Sequence, residues 1–160
     1  MMPTKQEIVR LILKGRSREP RDEGIAFAPA NIALCKYWGK RDEELNLPVT
    51  SSLSVSLGTL GSLVQLRSAR ASDIVFLNGK RLARDSSFAR RVSGLLDLFR
   101  PGRKAFFEVR AVNTIPTAAG FASSASGFAA LAMAADDLFG WRLPRRELSV
   151  LARLGSGSAC

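Results

Sequence analysis

Histidine is absent from the sequence. The usual acid–base group at neutral pH and the commonest metal ligand are therefore missing, which excludes Ser-His-Asp catalysis and argues against a structural zinc site. Any catalysis has to use Asp, Glu, Lys, Arg, Ser or backbone amides. Cysteine is scarce as well, because Cys35 and Cys160 are too few to build a disulfide framework in a chain of 160 residues.

Long apolar runs and a surplus of acidic residues are also missing. No run of about 18 apolar residues occurs, so we expect no membrane span. The apolar stretch Ile8–Leu13 is too short for a signal peptide, which predicts a cytoplasmic protein. The 24 basic and 14 acidic residues give a net charge of +10, which favours anionic partners. Because the basic residues form no block, we expect phosphorylated small molecules rather than nucleic acid.

The first 24 residues differ in pattern from the remainder. Thr4 and Glu7 have the spacing of a capping box, and the apolar residues that follow predict a helix from about Lys5 to Lys14. Residues 16–24 are charged and contain Pro and Gly, which is typical of a linker. We therefore divide the chain into residues 1–24, a helix and linker, and residues 25–160, a domain.

Residues 25–160 alternate strand-like and helix-like segments, which predicts an α+β fold. Asn78-Gly79 predicts a tight hairpin turn. Strands are expected within 26–38 and at 52–57, 63–66, 74–77 and 106–112. Helices are expected at 88–99, at 128–139 and between Pro144 and Gly155.

The segment Pro116–Gly127 is rich in Gly, Ala and Ser and precedes the Ala-rich helix. Small side chains let a ligand approach the backbone, and the free amides of a helix start favour phosphate. The segment is not a Walker A loop, since no Gly-Lys-Ser/Thr follows. A helix start made of small residues for close packing is an equally good interpretation of the composition.

Two further segments favour anions more weakly. Lys36–Glu44 combines cations with aromatic residues, although an exposed basic turn with Trp38 in the core would have the same pattern. Gly155–Cys160 is a small, hydroxyl-rich stretch that would ordinarily be a flexible turn. Three such segments in one basic chain favour phosphate chemistry.

The residues of 28–55, 113–127 and 152–160 carry a specific resemblance. Ala-Pro-Ala-Asn-Ile-Ala, Lys-Tyr-Trp-Gly-Lys-Arg-Asp-Glu-Glu and Ser-Ser-Leu-Ser-Val, followed by the small-residue loop and Gly-Ser-Gly-Ser-Ala-Cys, resemble the mevalonate diphosphate decarboxylases of the GHMP kinase superfamily. The resemblance implies the GHMP-kinase N-terminal domain, a ribosomal-protein-like fold with a left-handed β-α-β crossover that departs from the usual right-handed rule.

The same resemblance implies the chemistry. ATP with Mg²⁺ would phosphorylate the tertiary hydroxyl of (R)-5-diphosphomevalonate, and loss of phosphate and carbon dioxide would give isopentenyl diphosphate. Catalytic roles would fall to Lys40, Asn31 and Ser124. Substrate binding would fall to Tyr37, Trp38, Gly39, Lys40, Arg90, Ser156, Gly157, Ser158, Ala159 and Cys160. ATP binding would fall to Asn113, Pro116, Ala118, Gly120, Ala122, Ser123, Ser124, Ser126 and Gly127. The family also implies a homodimer.

The match is incomplete at its C-terminal end. In the family an arginine follows the last motif directly, and the catalytic aspartate lies in a carboxy-terminal half. Asp136 and Asp137 match no such position and are expected to face solvent. We therefore expect a fragment that is inactive alone. A related GHMP small-molecule kinase, a phosphomevalonate decarboxylase and, from another class, a basic RNA-binding module remain as alternatives.

Overall fold

The computed structural model describes residues 3–17, 19–36, 39–102, 104–115 and 123–159, with only the backbone of Ser123. Strands and helices alternate along these residues. In chain order they are α1 (Lys5–Ile12), β1 (Glu23–Cys35), β2 (Lys40–Asp42), β3 (Leu47–Pro48), β4 (Leu53–Ala69), β5 (Ile74–Leu77), β6 (Lys80–Arg81), α2 (Ser87–Phe99), β7 (Phe106–Asn113), α3 (Ser123–Phe139) and α4 (Arg145–Gly155). Within the described ranges, every helix is too short or too polar to cross a bilayer.

A mixed sheet organises the fold. Five strands hydrogen-bond in the order β1-β4-β7-β5-β6, with β1 and β7 antiparallel to β4. β5 runs parallel to β7, and the connection between them passes through the β5–β6 hairpin and α2. Parallel neighbours need such a crossover, so this part is a β-α-β unit. The α+β prediction is confirmed.

The core lies between the sheet and α3. Alanines dominate the inner face of this helix, and Ala130, Ala134 and Leu138 are fully buried. The strand β1 approaches so closely that a side-chain carbon on Gly24 would lie 2.1 Å from the carbonyl oxygen of Ala134. β1 therefore begins at Glu23, two residues inside the segment predicted as a linker, because Gly24 packs directly against α3.

The N-terminal helix is docked on this body. Val9 and Leu13 are buried in the common core. Arg16 donates from Nη1 to the carbonyl oxygen of Trp141 (2.7 Å), and Trp141 Nε1 donates to the carbonyl oxygen of Ser17 (2.6 Å). α1 ends at Ile12 rather than at Lys14 as predicted, before a turn in which the chain reverses toward β1.

Three further details correct the sequence-based expectations. The predicted strands 52–57 and 63–66 form one continuous strand, β4. Residues 123–127 already belong to α3, although the helix was predicted from Phe128. Asp136, expected to face solvent, is half-buried, and its carboxylate accepts the Leu143 N–H at 2.9 Å. Asp137 is exposed as expected, and its carboxylate also accepts the Ile25 N–H at 2.9 Å.

Candidate anion-binding cleft

An open cavity of about 510 Å³ lies where α1, β2, α2 and the end of α4 meet. Its walls combine basic side chains with backbone from a glycine-containing segment, which is the composition expected of an anion site. The lining residues are Lys5, Lys40, Asn46, Arg91, Gly94, Leu95, Leu98, Leu154, Gly155, Ser156 and Gly157. We refer to this cavity as the cleft.

The cations of the cleft differ in how they are held. Lys40 Nζ lies 3.1 Å from the carboxylate of Glu43, whose side chain is 80% exposed, so an anionic ligand can displace this partner. Arg91 donates from Nη2 to the carbonyl oxygen of Gly155 (3.1 Å), and its guanidinium lies 4.7 Å from the ring centre of Phe128. These contacts orient the planar fork while leaving donors free, an arrangement suited to phosphate or carboxylate oxygens.

The arginine predicted on α2 to reach the diphosphate was Arg90. Both Arg90 and its neighbour Arg91 are exposed, but of the two only Arg91 lines the cleft. Successive residues of an α-helix are rotated by about 100° around its axis, so neighbouring arginines face different directions. The apolar spacing of α2 could have indicated Arg91. Leu95 also lines the cleft, and residues four apart lie on the same face of a helix, so Arg91 shares the face of Leu95.

The end of α4 supplies the backbone of the cleft. The helix ends at Gly155, and the Ser156 N–H donates to the carbonyl oxygen of Ala152 (3.1 Å). A turn follows in which the Ala159 N–H donates to the carbonyl oxygen of Ser156 (2.9 Å). Of the predicted residues, Ser156 and Gly157 line the cleft, while Ser158 and Ala159 do not.

Asn46 holds the opposite wall, and sequence reasoning did not identify it. Its φ of 53° is the left-handed region that Asn tolerates better than most residues. In this conformation Nδ2 donates to the carbonyl oxygen of Arg153 (2.9 Å), near the end of α4. The same turn carries Glu44, which accepts the backbone N–H of Lys5 at 3.1 Å. The turn thus joins α1 to α4 across the cleft.

Two of the predicted ATP-binding residues, Asn113 and Ser126, are joined through Ser62. Ser62 Oγ donates to Asn113 Oδ1 (2.8 Å) and lies 2.8 Å from Ser126 Oγ. Ser62 and Ser126 are 0% and 2% exposed, so this hydroxyl pair is inside the protein. Gly127 is also buried, and Ser124, in the first turn of α3, is half-buried. Ser62 is the member that sequence reasoning missed, because it stands inside a strand without any motif.

Several other predicted residues lie away from the cleft or outside the described residues. Asn31 donates from Nδ2 to Ser54 Oγ (2.9 Å) and does not line the cleft. Gly39 has a φ of +73° and directly precedes Lys40. The residues outside the described ranges are Tyr37, Trp38, Pro116, Ala118, Gly120, Ala122 and Cys160. Their predicted roles stay predictions, as does that of Ser123, whose side chain is not described.

Comparison with known proteins places this geometry in a family context. Residues 28–160 match the model of the diphosphomevalonate decarboxylase-like N-terminal domain. The diphosphomevalonate decarboxylase mvd1 of Aspergillus fumigatus is 44% identical over 155 residues, which cover 83% of this chain and 37% of that protein. The crystal structure of mevalonate diphosphate decarboxylase from Staphylococcus aureus is 39% identical with a TM-score of 0.79, covering 86% of this chain and 42% of that one.

A further solved structure is described as MDDEF in complex with MVAPP, AMPPCP and magnesium. It is 42% identical, has a TM-score of 0.76, and covers 86% of this chain and 43% of that chain. The chain thus spans about two fifths of the length of the relatives it matches.

Proposed function

Because the chain belongs to the diphosphomevalonate decarboxylase family, we propose that it forms the ATP- and substrate-binding part of an enzyme that decarboxylates (R)-5-diphosphomevalonate to isopentenyl diphosphate. The observation that carries the proposal is the cleft, which Lys40 and Arg91 line together with Ser156 and Gly157. Lysine and arginine cations are groups that bind phosphate oxygens.

In the cleft, Arg91 replaces Arg90 as the arginine for the diphosphate. Its contacts with Gly155 and Phe128 hold the guanidinium in place before substrate arrives, which lowers the entropy lost on binding. Lys40 adds a mobile positive charge once Glu43 is displaced. Tyr37, Trp38, Gly39, Ser158, Ala159 and Cys160 keep their predicted substrate-binding role as part of this proposal.

ATP is proposed to bind at the start of α3. Asn113 and Ser126 are tied together through Ser62, and this buried connection fixes α3 against β4 and β7. Ser124 would then be the hydroxyl nearest the phosphates, and Pro116, Ala118, Gly120, Ala122 and Ser123 keep their predicted ATP-binding role as part of this proposal. Asn31 is proposed to orient the carboxylate of the substrate. ATP would supply the phosphoryl group that is transferred to the tertiary hydroxyl. The phosphorylated oxygen would then leave as phosphate as carbon dioxide is lost.

Magnesium fits this scheme only together with the nucleotide. No group of three or more acidic or cysteine side chains that could hold a metal occurs among the described residues. Mg²⁺ commonly takes most of its ligands from phosphate and water, so a hydroxyl such as that of Ser124 and the ATP phosphates would hold it. There it would neutralise phosphate charge. The cytoplasmic location and the homodimer stay predictions.

The proposal is tested by joining the chain to the remaining carboxy-terminal portion of the Aspergillus fumigatus relative. With ATP, Mg²⁺ and diphosphomevalonate, the joined protein should release carbon dioxide and ADP in equal amounts. ADP without carbon dioxide would instead indicate a kinase of the same superfamily. If the joined protein formed neither ADP nor carbon dioxide, the proposal would be refuted.

A matched pair of variants of the joined protein tests the cleft itself. Arg91→Met should lower kcat/KM between about 10-fold and about 100-fold, the range for losing a hydrogen-bonded charge. Arg90→Met, one residue away and exposed, should remain within about two-fold of the parent protein, as expected of a surface substitution. Equal effects of the two substitutions would refute the assignment of the diphosphate to this cleft.

A further inference from the structure

The N-terminal helix α1 contributes a wall to the cleft although it precedes the residues that match the family. The family model begins at residue 28, whereas α1 covers Lys5–Ile12. Burial of Val9 and Leu13, 1% and 2% exposed, fixes the helix on the body. The contacts of Arg16 and Ser17 with Trp141 fix the chain that follows it. The wall is therefore a built part of the fold.

The first turn of α1 is held from two sides. Thr4 and Glu7 form a complete capping box, in which the Thr4 N–H donates to Glu7 Oε2 (2.7 Å) and the Glu7 N–H donates to Thr4 Oγ1 (3.2 Å). Two hydrogen bonds lower the pKa of Glu7: the larger contribution comes from the Thr4 backbone and the smaller one from the Thr4 hydroxyl. From the other side, Glu44 accepts the N–H of Lys5 at 3.1 Å. The backbone of Lys5 is thus held in position by the capping box on one side and by Glu44 on the other.

The Lys5 side chain is half-buried and lines the cleft together with Lys40 and Arg91. Glu7 and Glu44, the two carboxylates that hold this turn, accept backbone N–H groups. Within the described parts of the chain, no carboxylate pairs with the Lys5 ammonium, in contrast to Lys40 with Glu43. A cation also interacts unfavourably with the dipole at a helix start. Its position therefore costs the fold some stability without a compensating internal partner.

We propose that Lys5 is an additional binding residue for the phosphate-bearing end of the substrate. This inference rests on the proposed function, since it assigns the ligand of the same cleft. Lys5, Lys40 and Arg91 together bring three positive charges to one cavity, which matches a diphosphate group better than a neutral ligand. The residues that bind the substrate then include one from α1, outside the region that the family model covers.

Binding by the joined protein described above, whose unmutated form is here called the unaltered chain, tests the inference directly. Titration calorimetry with inorganic pyrophosphate and with diphosphomevalonate would compare the unaltered chain with Lys5→Met, Lys5→Arg, Lys14→Met and Arg91→Met. Lys14 is the matched control, because it is an exposed lysine of the same segment that does not line the cleft. Thermal unfolding without ligand would be recorded for every variant.

We expect Lys5→Met to weaken binding of both ligands between about 3-fold and about 10-fold, as for a partly exposed ion pair. Lys5→Arg should retain most of the affinity, and Lys14→Met should bind like the unaltered chain. The Tm of Lys5→Met should stay the same or rise, because a charge opposed to the helix dipole is removed. A purely structural role would lower the Tm instead.

The outcomes separate this inference from the proposed function. If Arg91→Met loses affinity while Lys5→Met binds like Lys14→Met, the role of Lys5 is refuted and the cleft remains the substrate site. If Lys5→Met loses affinity only in proportion to a lower Tm, the role is refuted as well. If the unaltered chain binds neither ligand, the assignment of substrate to the cleft fails, and the role of Lys5 fails with it.

Discussion

Two segments of small residues, 123–127 and 155–159, have similar compositions but different environments. The first is already the opening turn of α3, and its Ser126 and Gly127 are buried. The second follows the end of α4, and its Ser156 and Gly157 line the cleft. Small side chains permit close approach of either protein or ligand, so composition alone does not tell which of the two a segment serves.

The glycines of the two segments sharpen the contrast. A side-chain carbon added to Gly127 would lie 3.9 Å from Ser62 Oγ, an ordinary contact. The same carbon on Gly155 would lie 2.4 Å from Phe128 Cδ1 and 2.9 Å from Leu95 Cδ2. Gly155 therefore belongs both to the cleft and to the packing of three helices. The glycine in the buried segment has space, whereas the glycine beside the cleft has none.

The largest expected effect comes from alanine at these two glycines. Gly155→Ala should lower the free energy of unfolding by about 2–3 kcal/mol, because the buried Phe128 ring has to move. Gly127→Ala should raise it by up to about 1 kcal/mol, because alanine favours a helix interior over glycine. Urea unfolding measures both. Equal changes for the two variants would break the comparison.

A smaller effect is expected from removing one hydroxyl in each segment. Ser126→Ala should lower the free energy of unfolding by about 1–2 kcal/mol, because it breaks the buried contact with Ser62. Ser158→Ala, at an exposed position, should change it by less than about 0.5 kcal/mol. If thermal or urea unfolding shows that Ser126→Ala is as harmless as Ser158→Ala, the first segment is not fixed by its hydroxyl.

The third comparison concerns Asn46, which holds the end of α4 beside the second segment. Asn46→Gly keeps the left-handed backbone but removes the bond to the carbonyl oxygen of Arg153, so we expect a loss of about 0.5–1 kcal/mol. Asn46→Ala should cost about 1 kcal/mol more, because alanine disfavours a φ of 53°. Urea unfolding of both variants distinguishes the contribution of the hydrogen bond from that of the backbone conformation. Equal losses of stability in the two variants would contradict the role of the φ angle.

Local patterns predicted the elements well where the local signal and the packing agree. Asn78-Gly79 forms the β5–β6 turn with φ angles of 49° and 79°, both in the left-handed region that this hairpin requires. The apolar spacing of 88–99 corresponds to α2, which begins one residue earlier at Ser87. Prediction failed at boundaries set by distant partners, as at Gly24, which belongs to β1 because α3 packs against it.

The candidate site was predictable only in part. The motif residues Lys40, Ser156 and Gly157 do line the cleft. Arg91 lines the cleft whereas the predicted Arg90 does not, because successive residues of a helix differ in direction by about 100°. Lys5, Asn46 and Ser62 were missed because they belong to no motif and act through contacts distant in sequence.

The sequence by itself determined the chemical inventory: no histidine, a net charge of +10, and motifs that identify the decarboxylase family. It also determined most helices and strands, since these depend on periodicity and turn residues within a few positions. Only the tertiary structure decided that α1 docks on the body and that Lys5 shares a cavity with Arg91. Such placements depend on the burial of Val9 and Leu13 against distant elements, and no local pattern encodes that contact.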